Sequence, residues 1–182
     1  MGFRSWIKQV FDKLFGISNE ENYVIGAEIQ IKKTTMRHIM AIHAIEKESF
    51  SDPWPLTSLK DEITHPESIC LVATNSKKRV LGHIMMRLVL DEGHIHNISV
   101  AQHARRQGIG YRILEAAISK ASNQGIKSIT LEARSQNHAA ISLYEKLGFV
   151  TCGVRKNYYH TPTDDALVMV RKANAKSLQH KD

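Results

Sequence analysis

The chain is short of the features that would settle its class quickly. It has two cysteines in 182 residues. Cys70 and Cys152 lie in apolar, strand-like segments with neither C-x-x-C spacing nor a second pair, which argues against a disulfide framework or a zinc knuckle. They read as two reduced core thiols, and no metal is expected. No stretch sustains the roughly 20 apolar residues a membrane span needs. No internal repeat and no low-complexity tract is visible, so repeat architectures and disordered arrays are excluded. Acidic residues are outnumbered, 18 Asp and Glu against 25 Lys and Arg, for a net charge of +7. That balance suits an acidic partner such as nucleic acid, a ribonucleoprotein surface or a phosphorylated cofactor, without choosing among them. What remains is ordinary: 42% hydrophobic and 24% charged residues, the composition of a soluble, cytoplasmic globular protein with one core.

The periodicity divides the chain. Phe3, Trp6, Ile7, Val10, Phe11 and Leu14 fall at helical spacing with Arg4, Lys8, Asp12 and Lys13 opposite, so residues 1–26 read as an amphipathic helix followed by a linker from Gly16 to Gly26. The apolar residues are interspersed, so this is no secretory segment. The helix is expected to dock on its own domain or on a partner rather than in a membrane interface, since its polar face carries only a small positive excess. Residues 27–172 form the domain proper and 173–182 a basic tail.

Within the domain, helix and strand periods alternate. A strand is expected over 27–31, a helix capped by Thr35 running to Ser49, and a loop at Pro53-Trp54-Pro55, where prolines forbid a helix interior. A short helix carrying Leu56, Leu59 and Ile63 follows. Strands over 69–74 and 80–90 make a hairpin, and Asp91-Glu92-Gly93 turns the chain into a third strand ending at Val100. In that strand Ile95 has one parity and Ile98 and Val100 the other, so a β-bulge near Asn97 is needed to give one core face. A long helix with Ile109, Ile113, Ala116, Ala117 and Ala121 on one side, a strand over 126–134, a helix over 137–147 stopped by Gly148, and strands over 149–154 and 166–170 complete the series. The fold class is α/β in the sense of a mixed sheet with helices on its faces.

Arg105-Arg106-Gln107-Gly108-Ile109-Gly110 joins the bulged strand to the long helix. Two glycines let the backbone approach a ligand, the helix start offers free N–H groups, and two arginines add fixed charge, a combination suited to a pyrophosphate. It is neither a Walker A loop nor a dinucleotide fingerprint. As a bare pattern it is equally a glycine-rich helix start with solvated arginines.

In context the segment resembles the acetyl-CoA pyrophosphate loop of the GNAT superfamily of N-acetyltransferases, and the similarity extends over residues 29–171. Longer matches are similar to the ribosomal-protein-alanine N-acetyltransferases, the RimI type. They are Phe50-Ser51-Asp52-Pro53-Trp54, Asn97-Ile98-Ser99-Val100, Leu131-Glu132-Ala133-Arg134-Ser135-Gln136-Asn137, Leu143-Tyr144-Glu145-Lys146-Leu147-Gly148-Phe149, Arg155-Lys156-Asn157-Tyr158-Tyr159 and Asp165-Ala166-Leu167-Val168-Met169. The Asn-Tyr-Tyr with the later Asp-Ala and Met is the discriminating part. The resemblance implies a GNAT fold with a splayed central strand, acetyl-CoA as co-substrate, and the N-terminal alanine of a small-subunit ribosomal protein as acceptor. It implies Glu132 as general base and Tyr144 as general acid, and cofactor contacts from Ile98, Ser99, Val100, Arg105, Arg106, Gln107, Gly108, Ile109, Gly110, Tyr111 and Asn137. Trp54, Tyr158 and Tyr159 would line the acceptor groove.

Each assignment has a plainer counterpart. Glu132 could pair with Arg134 and Tyr144 could be a core aromatic; Asn137 could serve only as an N-cap; Tyr158 and Tyr159 could be solvent-facing loop residues. His94 and His96 share parity on a strand, a spacing open to a metal or an alternative base. At the level of function the alternatives are a GNAT enzyme for another amine, lysine or polyamine, and a non-catalytic acyl-CoA-binding or ribosome-associated module.

Overall fold

The computed structural model describes residues 22–25 and 29–173. The expected N-terminal helix and most of the basic tail lie outside those residues. In chain order the elements are β1 (Asn22–Ile25), β2 (Ile29–Lys33), α1 (Ile39–Ser49), α2 (Leu56–Thr64), β3 (Ser68–Asn75), β4 (Val80–Val89), β5 (Glu92–Val100), α3 (Ile109–Asn123), β6 (Ser128–Arg134), α4 (His138–Lys146), β7 (Val150–His160) and β8 (Thr163–Lys172). Single 3-10 turns, Met36–His38 and Gln102–Ala104, lead into α1 and out of β5.

The strands form one eight-stranded sheet in the order β1-β2-β3-β4-β5-β6-β8-β7. Every neighbouring pair is antiparallel except β5–β6. The central strands read as apolar runs because helices cover both faces. Six successive residues of β3 are buried. Alternate ones face opposite layers: Ile69, Leu71 and Ala73 join the core under α3, whereas Cys70 and Val72 pack with Ile42 of α1 and Leu59 of α2. The α3 stripe foreseen from periodicity, Ile109, Ile113, Ala116, Ala117 and Ala121, is buried. Truncating the fully buried Ile113 to alanine would cost about 2–5 kcal/mol.

The bulge exists and falls on His96. Met85 pairs with Asn97 but Met86 with Ile95, leaving His96 as the extra residue. One inserted residue restores the parity: Ile95, Ile98 and Val100 all meet the α3-side core, while Asn97 and Ser99 are buried on the opposite face. Close to the bulge the sheet opens. β5 and β6 pair only from Glu92↔Ser128 to Ile95↔Leu131. Beyond that point β5 keeps β4 and β6 keeps β8, so the main chain of 96–100 presents an unpaired edge to the gap.

Several boundaries differ from the sequence reading. Part of the expected linker, Asn22–Ile25, is a strand paired with β2. The strand expected over 27–31 runs over Ile29–Lys33. Glu92 and Gly93 belong to β5, and the reversal falls on Leu90 and Asp91, with Leu90 at φ 56°. The last two strands extend to His160 and back from Thr163, so Tyr158 and Tyr159 sit on a strand rather than in a loop; alternation there is broken by a register slip around Asn157, φ 51°. Cys70 is buried as expected, but Cys152 is exposed on β7, the outer strand of the sheet among the described residues.

Candidate active site

At the end of β5 the 3-10 turn delivers the chain to the loop ahead of α3. Gly108 is the N-cap of α3 with φ 76°, a left-handed conformation natural to glycine. A Cβ built on it would meet nothing within 4 Å, so the loop faces open space. Among the described residues no main-chain carbonyl takes the amides of Gly108, Ile109, Gly110 or Tyr111, as the first turn of a helix requires, nor those of Arg106 and Gln107 just before it. Arg105 is held by Val100 O at 3.1 Å and Ser49 Oγ at 3.2 Å. A glycine cap, free amides and two arginines at one helix mouth fit a pyrophosphate. The unpaired edge of Ile98, Ser99 and Val100 fits an extended arm with amide groups, which would lie along it as a further strand.

Glu132 stands one residue past the last β5–β6 pair. The strand period turns it, with Thr130 and Arg134, away from the buried Ile129, Leu131 and Ala133. Its carboxyl oxygens lie 3.2 Å from His94 Nε2 and 3.1 Å from a guanidinium nitrogen of Arg155, and its side chain is only 12% exposed. The partner is therefore Arg155 and not Arg134. His94 is oriented from its other side, with Nδ1 2.9 Å from Thr130 Oγ1. His96 packs edge-on between Trp54 (centroids 5.6 Å) and His94 (5.0 Å). Although solvent still reaches its ring, desolvation lowers the His96 pKa, with Glu62 opposing and His94 adding to the effect. Among the described residues no cluster of three or more metal-ligating side chains forms.

Tyr144 projects from α4 into the core, edge-to-face with Phe149 at 6.0 Å and 6% exposed. Burial, with a smaller contribution from Tyr159, pushes its pKa well above the ordinary tyrosine value, so the hydroxyl keeps its proton. The Tyr159 pKa is pushed up to about 12, first by burial and then by Tyr158. The Tyr159 hydroxyl points at the main-chain oxygen of Glu132, 3.4 Å away. Tyr158 is exposed and lies against Arg155. Asn137 caps α4, its Oδ1 accepting from Ala140 N at 3.1 Å.

Arg134 does something the sequence reading did not foresee. Its guanidinium lies 4.2 Å over the Tyr159 ring and donates to Thr161 O and Pro162 O, both at 2.9 Å, and to Ser51 Oγ at 3.4 Å. The Ser51 hydroxyl also donates to Thr161 O. The loop between α1 and α2 is thereby strapped to the β7–β8 turn. An open depression lined by Arg134, Gln136, Asn137, Pro162, Thr163 and Asp164 lies beside this strap; none of Glu132, His94 and Tyr144 lines it, so the strand gap is the better candidate for the chemistry.

Residues 39–149 match the acetyltransferase (GNAT) family, and the chain belongs to that family. It is an N-acetyltransferase, and its acetyl donor is acetyl-CoA. The ribosomal protein bS18-alanine N-acetyltransferase of Escherichia coli strain K12 is 32% identical over 131 residues, 71% of this chain and 87% of that protein. An N-alpha-acetyltransferase of Saccharolobus solfataricus is 29% identical over 159 residues, 80% of this chain and 94% of the relative. Among solved structures, the ribosomal-protein-S18-alanine N-acetyltransferase from Escherichia coli superposes with a TM-score of 0.74 at 29% identity, covering 81% of this chain and 97% of that one.

Proposed function

We propose that the enzyme acetylates the α-amine of a ribosomal protein chain beginning with alanine, in the cytoplasm, with Glu132 as general base and Tyr144 as general acid. The observation that carries this reading is the place of Glu132. Its carboxyl sits one residue beyond the point where β5 and β6 part, beside the unpaired edge that would hold the thioester. An α-ammonium titrates near ~8, so at neutral pH most of it must lose a proton before it can attack. Glu132 accepts that proton, directly or through a water. The amine lone pair then forms the C–N bond, the C–S bond breaks, Tyr144 supplies the proton the departing thiolate needs, and the second proton shed by the newly acylated nitrogen restores the Tyr144 hydroxyl. A tyrosine whose pKa is raised by burial is protonated at every working pH, as a donor must be. His94, 3.2 Å from Glu132, supports a second reading in which the imidazole shares the base role.

The acceptor assignment draws on the relatives named for ribosomal protein bS18 alanine. In this reading the acceptor enters between the loop of Pro53 and Trp54 and the strand segment of Tyr158 and Tyr159. The test is transfer of labelled acetyl to peptides beginning with Ala, Leu or Met, to a lysine-only peptide and to spermidine. Preference for the alanine peptide, abolished by Glu132→Gln, is the expected result. Comparable kcat/KM for the three peptides, or faster transfer to lysine or spermidine, overturns the acceptor assignment.

A further inference from the structure

On the sheet face opposite α3, the side chains of Glu46 and His83 are both fully buried, and neither belongs to the site described above. Three segments meet at the Glu46 carboxyl. Asn97 Nδ2, on β5 next to the bulge, donates to Oε2 at 2.7 Å. The main-chain N–H of Trp54, in the loop between α1 and α2, donates to the same oxygen at 3.4 Å. His83 Nε2 of β4 lies 3.0 Å from Oε1, but Oε1 makes no directed hydrogen bond; Nε2 is instead engaged with Ser99 Oγ at 2.8 Å. Among the described residues, His83 Nδ1 and Asn97 Oδ1 are buried and find no hydrogen-bond partner. A buried carboxyl surrounded by incompletely satisfied polar groups is costly compared with an apolar filling. The apolar layer beside it, Ile42, Leu59, Val72 and Met85, shows what the alternative would be.

The two donors come from segments with different duties. Asn97 is on the strand whose far edge faces the cofactor gap, and Trp54 is on the loop that flanks the acceptor. Neighbouring contacts follow the same line: Gln102 N reaches Glu48 Oε2 at 3.5 Å and Arg105 reaches Ser49. The C-terminal half of α1 is thus wired to the cofactor strand on one side and to the acceptor loop on the other.

We propose that Glu46 is a positioning residue that couples the cofactor strand to the acceptor loop, so that acetyl-CoA bound along β5 fixes the Trp54 loop for the acceptor. The acceptor half of this statement rests on the function proposed above; the coupling does not. The test uses the full chain and two variants, Glu46→Gln and Asn97→Ala, with Leu59→Ala as a control that loosens the same buried layer. Amide exchange at Trp54 is followed by NMR with and without acetyl-CoA. In the wild type acetyl-CoA should slow this exchange about tenfold or more. In either variant acetyl-CoA should bind within about threefold of wild type while the slowing is lost, and acceptor KM should rise about tenfold with kcat little changed. Leu59→Ala should lower the melting temperature yet keep both the slowing and the acceptor KM. No slowing in the wild type, retained slowing in a folded variant, or the same loss in Leu59→Ala overturns the coupling. If the wild type acetylates no α-amine peptide, the acceptor assignment fails while the exchange result still decides the coupling.

Discussion

Glu132 has two side-chain partners of different reach, the Arg155 guanidinium and the His94 imidazole. Arg155 is exposed at 54% and His94 at 39%, so both can move aside or exchange with water, whereas the carboxyl itself is fixed by strand and burial. Replacing Glu132 by Gln keeps the shape and removes the carboxylate proposed as the proton sink. Turnover should fall by about 10²- to 10⁴-fold with acetyl-CoA affinity nearly unchanged, and Tyr144→Phe should do the same. Single-turnover rates beside calorimetric cofactor binding check both, and near-normal turnover in Glu132→Gln with a dead His94→Ala would move the base to β5. A second ionisable pair serves the fold. Burial alone would raise the Glu62 pKa, but bonds from Arg87 and Ser68 outweigh it and hold the carboxyl below its usual range. A depressed carboxyl contributes stability above its unfolded pKa of about 4.3 and loses it as pH falls through the folded value. Glu62→Gln should therefore cost about 3 kcal/mol at pH 7, where Arg87 keeps Ser68 but loses its charged partner. In urea titrations across pH the gap to wild type should narrow as pH falls below the unfolded value and on through the depressed folded one, and a gap independent of pH would refute the pair's role.

At the scale of elements, the gap between β5 and β6 depends on how closely β4 approaches β5. A Cβ on Gly82 would lie 2.7 Å from the main-chain oxygen of Ser99, whereas one on Gly153 would meet nothing closer than 3.9 Å. Backbone cannot yield as a side-chain end can, so Gly82→Ala should displace β5 at Ser99 and weaken acetyl-CoA binding by about tenfold or more, while Gly153→Ala binds as wild type. Equal affinity in the two variants would separate cofactor binding from this strand. The bulge was legible from residues because parity must be repaired: Ile95, Ile98 and Val100 cannot share a core without an inserted residue. The α3 stripe and the Asn137 cap were legible for the same reason, since local period and cap chemistry act within a few residues. The partner of Glu132 was not. Arg134 is two residues away and Arg155 twenty-three, yet strand pairing brings Arg155 to the carboxyl and directs Arg134 to the β7–β8 turn. The Glu46 cluster was hidden likewise, because α1, β4 and β5 meet only in the folded sheet.

Across the whole molecule, Arg134 closes a circuit between segments more than a hundred residues apart, Ser51 and Thr161. The planar guanidinium is needed in two ways, stacked on Tyr159 and forked between two carbonyls. Arg134→Lys keeps the charge and loses the fork, so it should fail to restore what Arg134→Ala loses: acceptor KM raised about tenfold, and faster exchange at 158–163 in mass-resolved deuterium uptake. Full rescue by lysine would reduce the strap to simple charge. The sheet's outer strand carries one more consequence. β7 leaves Val150, Val154 and Tyr158 in solvent, and an eleven-residue edge with such residues would invite a second chain to add on. Two register slips against β8, at 151–153 and 155–159, break the regular pleat of the strand, and Arg155 and Lys156 carry charge along it. The same irregularity that turns Tyr159 toward the main chain of Glu132 also makes this strand a poor template for a second chain.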